Sequence, residues 1–90
     1  MNSNKETIGA LALDLKRVAL GYYRGSEKTA QRFCEEALKR KEEINVSSVK
    51  PYLQKKLELL PEVLQAEDKK KLAEDALMYS TLLQNYVLKS

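Results

Sequence analysis

Ninety residues are one domain's length of chain, 1–90, and 43% apolar against 32% charged content is too apolar for intrinsic disorder. Sixteen basic and thirteen acidic residues give a net charge of +3, spread almost evenly over the two halves, a weaker excess than a dedicated nucleic-acid binder carries. No apolar run approaches the roughly 18 residues that span a bilayer. The opening MNSNKETIGALALDL does not read as a secretory leader, and a lone cysteine, Cys34, excludes an internal disulfide framework, so the expected location is cytoplasmic.

The first helical segment is marked by Ile8, Leu11, Leu15, Val18 and Tyr22, which recur at spacings of three and four and share one face. Asp14, Arg17 and Arg24 fall on another face. Leu13 and Leu20 lie off the stripe, so this helix is apolar around more than half its girth and belongs at the centre of a bundle or under a second chain. Gly25 then supplies the left-handed residue that ends a helix. Ser26 is placed to cap the next one with its hydroxyl, and Glu27 suits that helix's positive end.

The second segment runs to about Ile44 on the stripe Ala30, Phe33, Ala37 and Ile44, with Cys34 and Leu38 beside it. Asn45 ends it, and Ser47 or Ser48 is expected to cap a third helix with Pro51 in its first turn, where the missing N–H does no harm. The third stripe is Val49, Leu53, Leu57, Leu60 and Leu64. Pro61 interrupts it and predicts a bend, a break or a fresh short helix from Leu60. The fourth segment starts near Asp68 and carries Leu72, Ala76, Tyr79, Leu83 and Tyr86, widened by Leu77, Met78, Leu82, Val87 and Leu88. Strand-like alternation is absent from the pattern. The expected fold is therefore all-α: an antiparallel up-down bundle of about four helices, with a kink or break near Pro61.

The sequence contains no histidine, which removes the commonest general base and the commonest zinc or iron ligand. One cysteine and no histidine argue against a zinc site, and neither a phosphate-binding glycine loop nor a nucleophile elbow occurs. The expectation is a chain that is not an enzyme and uses no cofactor and no metal.

Tyr22-Tyr23-Arg24 is the densest candidate for a contact site, since two rings and a guanidinium can stack on bases or hold an anion. It also reads as a plain helix terminus, with Tyr22 turned inward, Tyr23 covering the bundle end and Arg24 favoured near the helix's negative end. The runs Lys39-Arg40-Lys41, Lys55-Lys56 and Lys69-Lys70-Lys71 mostly have acidic partners four residues away, the mark of a solvated helix face. Cys34 fits a small hydrophobe beside the core.

The surplus of apolar residues on the first and fourth segments is more than four short helices hide in one chain. It predicts a homodimer, or a protein partner, held through an apolar helix face at Leu13, Leu20, Leu82, Tyr86 and Val87. A competing reading is nucleic-acid association through Tyr23, Arg24, Lys28, Arg32 and Lys39, with Arg40 beside them.

Overall fold

The computed structural model describes residues 4–89, so residues 1–3 and 90 of the expected domain lie outside the described residues. Helix α1 spans Asn4–Tyr23, α2 Glu27–Glu42, α3 Pro51–Val63 and α4 Lys69–Lys89, with one turn of 3-10 helix at Val46–Ser48. Among the described residues there is no strand. The fold is an all-α bundle.

Successive helices run antiparallel, and the contacts between them show it. Near the C-terminal end of α1, Gly21 abuts Ala30 near the start of α2, while Asp14 lower on α1 meets Arg40 near the end of α2. The α1–α4 pair is likewise antiparallel: Ser80 donates its hydroxyl to the Ala12 carbonyl at 2.6 Å, and Lys69 at the start of α4 stands over the Tyr22 ring. Tyr52 at the start of α3 contacts Tyr86 near the end of α4. Helix α1 packs extensively against both α2 and α4, which answers its wide apolar girth. The backbone of α3 stands further from its neighbours, and it reaches the core through Leu53, Leu57 and Leu60, all fully buried.

The core is made of Ile8, Leu11, Leu15 and Val18 from α1, the three α3 leucines, and Leu72, Tyr79 and Leu83 from α4. Helix α2 contributes only Ala30 and Ala37 as buried residues, with Phe33, Cys34 and Leu38 partly covered. Small side chains let α2 approach α1 closely. At Gly21 an added Cβ would lie 2.9 Å from the Ala30 nitrogen and 3.0 Å from its Cα, so glycine is needed for this crossing.

The α1–α2 connection is tight. Gly25 has φ of 75°, and the N–H groups of Ser26 and Gly25 donate to the carbonyls of Gly21 and Tyr22 at 2.7 and 3.1 Å. Those two bonds satisfy two of the carbonyls in the last turn of α1. Ser26 occupies the N-cap position of α2, but its hydroxyl donates to Thr29 Oγ1 at 2.8 Å and makes no side-chain cap bond to the backbone.

Helix α2 stops at Glu42 with Glu43 as its C-cap, two residues short of the expected end at Ile44, and Asn45 beyond it is held by a two-way amide clasp. Asn4 Nδ2 donates to the Asn45 carbonyl at 2.8 Å, and the Asn45 N–H donates to Asn4 Oδ1 at 2.9 Å. Neither Ser47 nor Ser48 caps α3. Both lie in the 3-10 turn, and Lys50 is the N-cap in an extended conformation (φ −65°, ψ 150°) imposed by the proline that follows it. Pro51 takes the first helical position.

Pro61 lies in the last turn of α3, which continues through it to Val63, and no new helix starts at Leu60. The proline leaves the Leu57 carbonyl without its usual donor, and the helix ends within three residues. The chain break expected near Pro61 thus falls after Val63. Asp68 then caps α4, accepting the Lys71 N–H at its Oδ1 at 3.2 Å.

Candidate functional site

Along α4 the residues Glu74, Leu77, Met78, Thr81, Leu82, Asn85 and Lys89 follow one another at steps of three and four, or side by side. They form a continuous lane on the helix surface. The opposite side of α4, through Leu72, Ala76, Leu83 and Tyr79, is buried. The outward lane is the floor of an open groove of about 790 Å³.

Two tyrosines from other helices wall this groove. Tyr23, the last residue of α1, stands at the Glu74 end and is 52% exposed. Tyr52, set one residue inside α3 by Pro51, stands at the Lys89 end, with its ring edge-on to Tyr86 at a centroid separation of 6.4 Å and 67° between planes. The centre of the floor is apolar: Leu77 and Met78 are 38% and 48% exposed, and Leu82 is half-buried. The ends carry opposite charges, Glu74 near Tyr23 and Lys50 with Lys89 near Tyr52.

A smaller hollow of about 400 Å³ lies on the other side of Tyr23, lined by Tyr22, Gly25, Glu27, Lys69, Lys70 and Ala73. Lys69 Nζ sits 6.0 Å from the centroid of the Tyr22 ring. Burial pushes the Tyr22 phenol above its ordinary pKa, with the Cys34 thiol and Glu27 adding to the rise. Cys34 is also raised, first by burial and further by Glu35, against a downward pull from Lys69. Its thiol is therefore protonated at neutral pH, the opposite of an activated nucleophile.

The residues expected at an apolar interface are dispersed. Leu82 and Tyr86 line the groove. Leu13 is exposed and Leu20 half-buried on α1, away from the groove lining, and Val87 packs against the core. Of the residues considered for nucleic acid, Tyr23 forms the ridge between the two hollows, and Arg24 is exposed in the turn after α1. Lys28, Arg32 and Lys39 are exposed on α2, which also exposes Glu35 and Glu42. Arg40 is committed elsewhere: its Nε donates to Asp14 Oδ2 at 2.8 Å, and that bond and charge hold the guanidinium pKa up. Asp14, placed on a polar face by its sequence position, is buried between α1 and α2.

Sequence spacing reveals the α4 lane itself. It does not reveal Lys50 or Tyr52, because only the antiparallel pairing of α3 and α4 brings them to its end. Among the described residues no three His, Cys, Asp or Glu side chains gather as a metal site, and no helix is long and apolar enough to cross a membrane.

No known family model, no curated protein and no solved structure matches the chain. What defines it is a small helical bundle with an amphipathic groove on its last helix.

Proposed function

We propose that the protein is a non-enzymatic interaction module that takes up an amphipathic helix of a protein partner in the groove along α4. The observation that carries this reading is the exposed apolar lane between two tyrosine walls. Tyrosine and methionine are enriched at protein interfaces, and aromatic anchors in pockets dominate binding energies. From Glu74 to Lys89 the floor is about 22 Å long, enough for four turns of a docked helix. The opposite charges at its ends give the occupant a polarity: a basic end towards Glu74 and an acidic end towards Lys50 and Lys89. A half-buried, unpaired Cys34 suits a reducing compartment, in keeping with a cytoplasmic module.

The nucleic-acid reading draws less support. Lys28, Arg32 and Lys39 share the exposed surface of α2 with carboxylates that offset them.

The test is photo-crosslinking in native cells, with a photoreactive residue in place of Asn85 in the groove or, as control, of Arg32 on α2. Adducts from position 85 that map to one helical segment support the reading. Labelling from position 85 no stronger or more localised than from position 32 overturns it.

A further inference from the structure

We infer that the helix this groove receives is α4 of a second copy, lying antiparallel across a two-fold axis that passes between Thr81 and Leu82. The inference rests on the reading of the groove as a docking surface and names its occupant.

The argument is one of charge and register. Glu74 and Lys89 stand equally far from the midpoint between Thr81 and Leu82, at the two ends of the groove. An antiparallel second copy therefore brings its Lys89 to Glu74 and its Glu74 to Lys89, and each contact occurs twice because a two-fold interface is isologous. Lys50 stands at the Lys89 end of the groove and adds to the positive charge that the second copy's Glu74 meets. A parallel pairing would set Glu74 against Glu74 and Lys89 against Lys89, which is repulsive at both ends.

The same register places apolar groups together. Leu77 faces Tyr86 of the second copy, Met78 faces Asn85 and Thr81 faces Leu82, so apolar groups predominate between the two ends and the charges lie outside them. Mirror-symmetric spacing belongs to any helical lane. The particular feature of this one is opposite charge at its two ends with the apolar surface between, which makes the surface complementary to itself.

The experiment uses the whole chain. Sedimentation equilibrium measures the mass and dimer dissociation constant of the wild type, E74K, K89E, the double variant E74K/K89E, and an equimolar mixture of the two single variants. Glu74 and Lys89 are exposed, and circular dichroism checks that each variant is folded.

The wild type is expected to be a dimer. Each single variant makes two repulsive contacts per dimer and should weaken association by about tenfold. The double variant should recover part of it, since Lys50 still opposes the new lysine, and the mixture should form a heterodimer tighter than either homodimer, because its Lys–Glu end contacts are attractive again. A monomeric wild type, or a dimer indifferent to these charges, overturns the inference. The two readings fail separately: an adduct from position 85 to another protein's helix, with a monomeric wild type, removes the second copy and leaves the groove as a docking site.

Discussion

Arg40 Nε on α2 donates to Asp14 Oδ2 on α1 at 2.8 Å, and the carboxylate is almost wholly out of solvent. This bond crosses the α1–α2 seam, whereas the Lys41–Glu42 pair lies within α2 and the Lys71–Asp75 pair within α4. Breaking a buried pair by removing one member costs about 3–5 kcal/mol because the remaining charge is stranded. Arg40 keeps 35% of its side chain exposed, so water offsets part of that loss. Arg40→Ala is expected to lower stability by about 2 kcal/mol in urea unfolding, and Asp14→Ala/Arg40→Ala by less than the sum of the single changes. An Arg40→Ala protein as stable as the wild type would show that the bond holds nothing.

The three glycines of the chain should respond to alanine with different signs. At Gly21 the new methyl collides with the Ala30 backbone, which cannot swing aside as a side chain can. The overpacking, about 1–3 kcal/mol, outweighs the helix-propensity gain of about 1 kcal/mol. At Gly9, also within α1, a Cβ meets nothing within 4 Å, so the propensity gain stands alone and Gly9→Ala should stabilise by about 0.5–1 kcal/mol. Gly25 has open space but a φ of 75°, and alanine there costs about 1 kcal/mol of backbone strain. Thermal melts of the three variants check this ordering; a stabilising Gly21→Ala is the result that contradicts it.

Stability should fall on the alkaline side. Burial raises the Cys34 thiol and the Tyr22 and Tyr79 phenols above their ordinary values, with Asp75 adding to the rise at Tyr79. Each group is neutral when protonated, so between its unfolded and folded pKa the native state binds more protons than the unfolded state. The corresponding stability is fully present below the unfolded pKa and is lost as pH rises through the folded one. The loss begins above about 8.5 for the thiol and about 10 for the phenols. In urea titrations over this window, Cys34→Ser should flatten the first part of the decline and Tyr79→Phe the second. A wild-type midpoint that does not fall above pH 9 contradicts the assignment.

The stripes Ile8-Leu11-Leu15-Val18 and Leu53-Leu57-Leu60 were legible in the sequence because burial on one helical face enforces a period near 3.6. The left-handed Gly25 was legible for a different reason: only glycine takes that backbone freely, so its presence after an apolar segment carries positional meaning. Asp14 was not, because periodicity assigns a residue to a face but does not say what covers that face. A carboxylate on the flank of α1 is buried here only because Arg40 arrives from α2, 26 positions away. The caps expected at Ser47 or Ser48 failed on a similar point. An extended Lys50 before Pro51 starts α3 without a hydroxyl, and the serines are taken up in a 3-10 turn. The groove is split between the two kinds of information. Its floor repeats at helical spacing within α4, whereas its walls, Tyr23 and Tyr52, come from α1 and α3 and depend on tertiary pairing.

Two positions on α4, five residues apart, separate folding from docking. Leu83 is fully buried in the core, and Leu83→Ala should cost about 3 kcal/mol, with the exact loss set by how far the site collapses. Met78 is about half exposed on the groove floor, where substitutions usually change stability by about 0.5 kcal/mol or less. Below the dimer dissociation constant, Met78→Lys should therefore leave the urea midpoint nearly unchanged, and at higher concentration it should abolish association by placing a cation in the apolar part of the groove. The two measurements are made on the same variants, by urea unfolding and sedimentation. A Met78→Lys protein that unfolds as easily as Leu83→Ala would make the lane part of the core. One that associates as well as the wild type would move the interface off α4, towards the exposed Leu13 side of α1.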